Sequence, residues 1–173
     1  MKSRKIFTIG HSTLPIGKFT ELLKDNDIDI LVDIRSIPGS GANPQFNAEN
    51  LKRALEKAGI DYVWIKDLGG RRYGLGKKSP NVCWNNASFR GYADYMMTDG
   101  FRNGINELEK QMKGHTAAIM CAESLYWRCH RIMVSDYLKS IGHSVIHVLS
   151  NGELRPHKYT ECAKVKRGKL TYC

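Results

Sequence analysis

The chain has 173 residues, of which 42% are hydrophobic and 25% charged, a composition typical of one folded domain and not of a disordered segment. Lys and Arg number 27 against 17 Asp and Glu, and a formal net charge of +10 attracts polyanions such as nucleic acid. No apolar run approaches the roughly 18 to 20 residues that cross a bilayer, so we expect neither a membrane span nor a signal peptide. The cysteines are scattered and odd in number, which with no export signal predicts a cytoplasmic protein with reduced thiols.

Short hydrophobic runs beside turn residues predict five β-strands, at 6–9, 30–34, 62–65, 117–121 and 145–149. Apolar residues at helical spacing lie between these runs, and the last helix is predicted over 124–140. Strands that alternate with helices are typical of parallel sheets covered on both faces. The sequence therefore predicts a single α/β domain, a Rossmann-like three-layer sandwich with a mostly parallel sheet of about five strands.

Two basic segments lie outside the predicted strands and helices. Segment 66–86 contains several glycines and five Lys or Arg residues without a clear period, which is typical of a lid or binding loop. Segment 155–173 carries six Lys or Arg residues against one acid, Glu161. We interpret it either as a solvated basic tail or as an arm that follows phosphates.

Small polar or titratable clusters follow three of the predicted strands. They occupy 10–13, 33–36 and 121–124. In open parallel sheets, ligands bind beyond the carboxyl ends of the strands, where loops and helix N-termini converge. We therefore expect the three clusters to share one crevice.

The segment 120–131 concentrates two thiols, a carboxylate, an imidazole and two guanidinium groups. Cys121 is predicted where a strand meets a helix, a position at which free amide groups lower a thiol pKa and bind anions; the alternative is an inert buried cysteine. Glu123, near the predicted helix start, is interpreted as a general acid or base that forms a carboxylate pair with Asp33, or else as a helix cap.

Residue spacing argues against two other sites. A phosphatase loop needs an arginine six positions after its cysteine, but Trp127 stands six positions after Cys121. The cysteines also lack the close pairs of structural zinc sites, so no cofactor is predicted. A mixed metal site is the less favoured alternative, and its ligands would be His11, Cys121, Cys129 and His130.

The chain resembles the domain of unknown function 488 family in motifs along its whole length. These motifs are TIGHS (8–12), VDIRS (32–36), NPQF (43–46), LGGRR (68–72), NASFRGYA (86–93), MCAE (120–123), WRCHR (127–131) and RPH (155–157). The resemblance implies one cytoplasmic α/β domain, 1–173, that includes both basic segments. It does not supply a reaction.

We expect a hydrolase that acts on a phosphate-bearing substrate, such as nucleic acid or a nucleotide, at this edge of the sheet. The predicted catalytic residues are Glu123, Asp33, Cys121, His11 and His130. The predicted substrate-binding residues are Arg35, Ser12, Ser36, Ser124, Arg128, Arg131, Arg72 and His157.

Two alternative functions stay open. In a thiol-dependent redox or transfer enzyme, Cys121 attacks the substrate, and Cys129 resolves the product or His130 activates the thiol. The other alternative is a nucleic-acid-binding protein without catalytic activity.

Overall fold

All five predicted strands form, each within one residue of its predicted bounds. The computed structural model describes residues 3–173, and these strands are β1 (Lys5–Gly10), β2 (Ile30–Asp33), β3 (Asp61–Trp64), β4 (Ala117–Cys121) and β5 (Ser144–Val148). They pair in parallel in the order β3-β2-β4-β1-β5. The short strand β6 (Leu154–Pro156) extends the sheet by pairing antiparallel to β5.

Five helices cover the two faces of the sheet. They are α1 (Ile16–Lys24), α2 (Ala48–Ala58), α3 (Ala87–Tyr95), α4 (Asp99–Gln111) and α5 (Arg131–Ser140). Side chains of α1 and α2 pack on one face with Phe7, whereas those of α3, α4 and α5 pack on the other face with Ile6. Neighbouring residues of β1 thus face opposite layers, as strand geometry requires. The fold is α/β with a mostly parallel six-stranded sheet, consistent with the predicted Rossmann-like sandwich.

Helix α5 begins at Arg131, seven residues later than predicted. The guanidinium group of Arg131 donates hydrogen bonds to the carbonyl oxygens of Glu123 and Ser124, at 2.7 and 3.2 Å. Those carbonyls are the groups that a helix starting at Ser124 would use for its first turn. A short 3₁₀ turn, Tyr126–Arg128, occupies the intervening chain. The prediction was wrong because a side chain from the following helix takes these acceptors.

The basic segment 66–86 contains two 3₁₀ turns, Lys66–Leu68 and Gly76–Lys78, and is anchored by a buried carboxylate. Asp94 of α3 accepts hydrogen bonds from the Asn81 side chain and the Leu75 backbone, at 2.8 and 2.7 Å. These contacts hold the segment against the domain.

The C-terminal residues form a hairpin of β7 (Lys164–Lys166) and β8 (Lys169–Thr171), which the sequence pattern did not predict because each strand is only three residues long. A disulfide joins Cys83 to Cys162 across a sequence separation of 79. The expectation of reduced thiols is therefore wrong for this pair, because the fold brings together cysteines whose separation carried no signal.

In the part of the chain that the structure describes, none of the helices combines the length and apolar character needed to cross a membrane.

Candidate active site

A cavity of about 870 Å³ lies beyond the carboxyl ends of the neighbouring strands β2 and β4. Its wall contains residues that follow both strands, together with part of the 66–86 segment and the start of α3. This is the edge at which open parallel sheets bind ligands. Seven of the predicted site residues line it: Arg35, Ser36, Arg72, Cys121, Glu123, Arg128 and His130.

Two cysteine sulfurs meet in the cavity wall. The Sγ atoms of Cys121 and Cys129 are 3.0 Å apart, and neither residue belongs to the disulfide described above. Cys121 ends β4 and is 3% exposed, whereas Cys129 is half-buried. The backbone N–H of Arg131 donates to the Cys129 sulfur at 3.3 Å. The pair is thus placed so that Cys129 is the more accessible sulfur.

The two thiols differ in acidity for physical reasons. Burial raises the pKa of Cys121 well above its ordinary value. Burial acts in the same direction on Cys129, but the hydrogen bond with Cys121, the neighbouring His130 ring and the charge of Arg131 bring the pKa of Cys129 well below its usual range. Cys129 is therefore the more acidic of the two thiols and the one that loses its proton first. This reverses the roles that the sequence predicted, because the helix expected directly after Cys121 begins ten residues later, at Arg131.

Arg131 is a buried cation that contacts the thiol pair through its backbone N–H. Its side chain is 1% exposed, forms no salt bridge with any Asp or Glu of residues 3–173, and leaves Nε without a hydrogen-bond acceptor. A buried guanidinium group is always charged and needs a compensating anion. The guanidinium group donates to Thr8 Oγ1 and to the Glu123 and Ser124 carbonyl oxygens, and its charge lowers the pKa of Cys129. Arg131 therefore stabilises the thiol pair, and it does not line the cavity as a substrate-binding residue.

His130 completes the nucleophilic arrangement. Its Nε2–H donates to the Ile34 carbonyl at 2.9 Å, which orients the ring next to Cys129. A nucleophile, a neighbouring imidazole and a group that orients the imidazole are the three parts of activated thiol sites. His130 was predicted from the concentration of reactive groups in 120–131, but the Ile34 carbonyl could not be, because a backbone acceptor carries no residue signature.

Asp33 lies beneath the cavity instead of facing it. Its carboxylate is fully buried and accepts hydrogen bonds from the Arg35 side chain and from Tyr62 Oη, the latter at 2.7 Å. The ion pair and the hydroxyl occupy both carboxylate oxygens. The predicted pairing of Asp33 with Glu123 is therefore not assembled, and Asp33 holds Arg35 in place. Glu123 itself is exposed on the cavity wall.

His11 also supports Arg35. The ring donates from Nδ1 to the Ser12 carbonyl at 2.8 Å, places Nε2 3.3 Å from Arg35 Nη1, and stacks on Phe46. Burial lowers the pKa of His11. Its predicted catalytic role needs contact with the substrate, and the ring is buried among these partners.

Three other predicted binding residues lie outside the cavity wall. Ser12 and Ser124 do not line the cavity, although Ser124 is next to the wall residue Glu123 in the sequence. His157 is 3% exposed and binds Asp136. The predictions treated every polar residue near a strand end as a ligand, whereas several of them satisfy buried partners. Sequence reasoning in turn missed Arg71 and Tyr73 as wall residues. The basic, glycine-rich character of segment 66–86 was the signal that could have identified them.

The four predicted ligands of a mixed metal site do not form one site, although Cys121 and Cys129 are in contact. Within residues 3–173, no group of three or more His, Cys, Asp or Glu side chains is arranged to hold a metal ion. His11 points to Arg35, and His130 binds a backbone carbonyl.

Comparisons with curated proteins and with solved structures give no match. A family model described as "Domain of unknown function DUF488" matches residues 15–138. The matched range includes both cavity cysteines and most of α5, but not β1 or the RPH motif. Because the match covers well over half of the chain, the protein belongs to the DUF488 family.

Proposed function

We propose that the protein is a thiol-dependent oxidoreductase that reduces a disulfide-bearing anionic substrate. The observation that carries this proposal is the 3.0 Å contact between Cys121 and Cys129 Sγ in the wall of a cavity. A disulfide bond measures about 2.0 Å, so the two sulfurs need to approach by only about 1 Å to bond. A thiolate with a second thiol in this position is the arrangement that thiol–disulfide exchange requires.

The exchange balances with this pair alone. The Cys129 thiolate attacks one sulfur of the substrate R–S–S–R′, forms a mixed disulfide with R and expels R′ as a thiolate. Cys121 then passes its proton to a departing thiolate, attacks Cys129 Sγ and expels R. Two electrons move from the protein to the substrate, which leaves as one thiol and one thiolate. Two molecules of a low-molecular-weight thiol return the pair to its reduced state and are oxidised to their own disulfide.

The cavity wall favours an anionic substrate. Arg71, Arg72 and Arg128 line it, and Glu123 is the acid on the same wall. Arg72 is held by its own contacts, a hydrogen bond to the Lys66 carbonyl and a stack on a tyrosine ring. Arg71 and Arg128 are exposed. Guanidinium groups bind carboxylates and phosphates through paired hydrogen bonds, so a substrate carrying either group fits this wall.

A hydrolase is less well supported. The predicted hydrolytic mechanism divided acid and base roles between Asp33 and Glu123, and the Asp33 carboxylate is occupied by Arg35 and Tyr62. Glu123 alone does not provide the pair.

Dithiobis(nitrobenzoate), a dianionic disulfide that releases a coloured thiolate, tests the proposal directly. In a Cys173→Ser background, Cys129 and Cys121 together should release both halves of one reagent molecule and end as a closed disulfide without label. Cys121→Ser should release one half and retain the other on Cys129, as mass spectrometry would show. Retention of label on both cysteines when the pair is intact would overturn the mechanism.

The neutral reagent dithiodipyridine provides the control for charge recognition. Arg128→Ala should slow the reaction with the dianionic reagent up to about fivefold, since an exposed charge contact contributes on the order of 1 kcal/mol, and should leave the neutral reagent unaffected. Equal effects on both reagents would contradict an anionic substrate.

A second candidate function is the binding of nucleic acid, which the C-terminal hairpin favours. Lys164, Lys166, Arg167 and Lys169 are all exposed, and no acid lies within 164–169. The Cys83–Cys162 disulfide ties this hairpin to the chain that leads into the cavity wall at Asn86. A row of exposed cations is suited to a phosphate backbone.

Salt dependence of binding to a single-stranded DNA oligonucleotide tests this candidate. Changing Lys164 and Lys166 to Gln should lower the slope of log affinity against log salt concentration by about 0.7 for each phosphate that is no longer neutralised. Lys52→Gln, an exposed position on α2, is the matched control. A slope that the hairpin changes do not alter would exclude the hairpin as the binding surface.

A further inference from the structure

A chain of buried polar side chains runs from Arg131 into the protein, away from the cavity. Its members are Thr8 on β1, His147 on β5, His157 after β6, and Asp136 on α5. His157 is the most exposed of them, at 3%, and the other three are fully buried. The proposed chemistry of the thiol pair uses none of these four residues, and polar groups at such positions call for an explanation because their desolvation is costly.

Each link of this buried chain is a hydrogen bond. Arg131 Nη1 lies 3.3 Å from Thr8 Oγ1, which is 2.7 Å from His147 Nδ1. His147 Nε2 lies 2.9 Å from His157 Nδ1. His157 Nε2 lies 2.9 Å from Asp136 Oδ1. Arg131 is thus connected to the Asp136 carboxylate through four consecutive contacts.

The chemistry of the two ends gives the chain a direction. A guanidinium group only donates hydrogen bonds and an ionised carboxylate only accepts them. Burial lowers the pKa of His147 to about 2, so this ring is neutral at neutral pH. With the proton of each imidazole on Nε2, every link has one donor and one acceptor, and all four bonds run from Arg131 to Asp136.

The same chain connects two buried charges that lack ordinary partners. Arg131 forms no salt bridge with an acid of residues 3–173, and Asp136 forms none with a Lys or Arg of that range. Aligned hydrogen bonds polarise one another, so the chain stabilises a positive charge at one end and a negative charge at the other.

The C-terminal segment donates further hydrogen bonds to Asp136, the acidic end of the hydrogen-bonded chain. Asp136 accepts hydrogen bonds from Thr160 Oγ1 at 2.7 Å and from Tyr172 Oη at 3.0 Å, in addition to the one from His157. Residues that lie outside the matched family range therefore complete the surroundings of this carboxylate.

We infer that Thr8, His147, His157 and Asp136 are positioning residues, which hold the Arg131 side chain in place next to the thiol pair and so maintain Cys129 as a nucleophile. This inference rests on the proposed thiol function. It assigns the RPH motif, through His157, to support of the thiol centre from behind instead of to substrate binding.

Thr8 offers the sharpest test, since valine has the same shape without the hydroxyl and serine keeps the hydroxyl. In a Cys173→Ser background, the rate of Cys129 alkylation by iodoacetamide would be followed against pH, with peptide mapping to assign the label. In Thr8→Val we expect the inflection of the rate–pH profile to move to higher pH. The alkylation rate at acidic pH should fall about tenfold, as for the removal of one hydrogen bond to a charged group. Thr8→Ser should retain the original profile.

Thermal unfolding separates this role from a purely structural one. If Thr8→Val is destabilised yet its alkylation profile matches that of the unchanged protein, the inference is overturned. Asp136→Asn, which keeps the shape and removes the charge, provides a second variant with the same expected shift should Thr8→Val fail to fold. If the alkylation rate of the unchanged protein has its inflection at the ordinary thiol pKa, the proposed function is overturned as well. If that inflection lies at low pH and neither variant moves it, only the positioning role is overturned.

Discussion

His130 owes its position to the missing side chain of Gly70. A Cβ atom at Gly70 would lie 2.4 Å from His130 Nδ1, a distance that real Cβ atoms do not reach. The histidine ring would have to move and would give up its bond to the Ile34 carbonyl. The glycine at this position is therefore explained by close approach of the loop backbone to the imidazole.

Gly70→Ala should accordingly slow the reaction of Cys129 with dithiobis(nitrobenzoate), by about tenfold if one oriented hydrogen bond is broken. Gly41→Ala is the matched control, because a Cβ there meets no atom within 4 Å. Stopped-flow absorbance measures both rates. An unchanged rate in Gly70→Ala would mean that His130 does not activate the thiol.

At the scale of elements, the disulfide joins the two segments that the sequence marked as basic and irregular. Cys83 lies at the end of segment 66–86, and Cys162 immediately precedes the C-terminal hairpin. Tyr172 of the same C-terminal segment packs on Trp84, with ring centroids 5.5 Å apart. The two segments are therefore held to each other by one covalent bond and one aromatic contact.

Cys83→Ser should lower the free energy of unfolding by about 2 to 4 kcal/mol, because a cross-link that closes a long loop restricts the unfolded chain. Cys173→Ser, which removes an exposed free thiol, should leave it unchanged within about 0.5 kcal/mol. Urea denaturation of the two variants and of the unchanged protein measures the difference. Identical midpoints for all three would show that the disulfide does not form in solution.

At the scale of the whole molecule, the strand order brings distant motifs to one edge. Strands β2 and β4 are neighbours although more than 80 residues separate them, and parallel pairing places both carboxyl ends together. The three polar clusters were predicted to meet for this reason. The clusters after β2 and β4 do meet in the cavity wall, whereas the β1 cluster contributes His11 from beneath, through Arg35.

The excess positive charge is also distributed by the fold. Arg71, Arg72 and Arg128 gather on the cavity wall, and four further cations lie on the C-terminal hairpin. The one arginine of the WRCHR motif that turns inward, Arg131, serves the thiol pair instead of the surface. Net charge alone could not distinguish these roles, because it does not report which guanidinium groups are buried.

The strands, the α/β class and the edge that holds the cavity followed from hydrophobic periodicity, because burial on both faces of a parallel sheet demands apolar runs. The identity of the nucleophile did not follow in this way. Cys129, and not Cys121, is the more acidic thiol because Cys121, His130 and the charge of Arg131, which the late start of α5 places nearby, lower its pKa. Asp33, His11 and His157 likewise changed roles once their buried partners were known. Acidity and access depend on neighbours that come from other parts of the chain, and those neighbours are set only when the chain is packed.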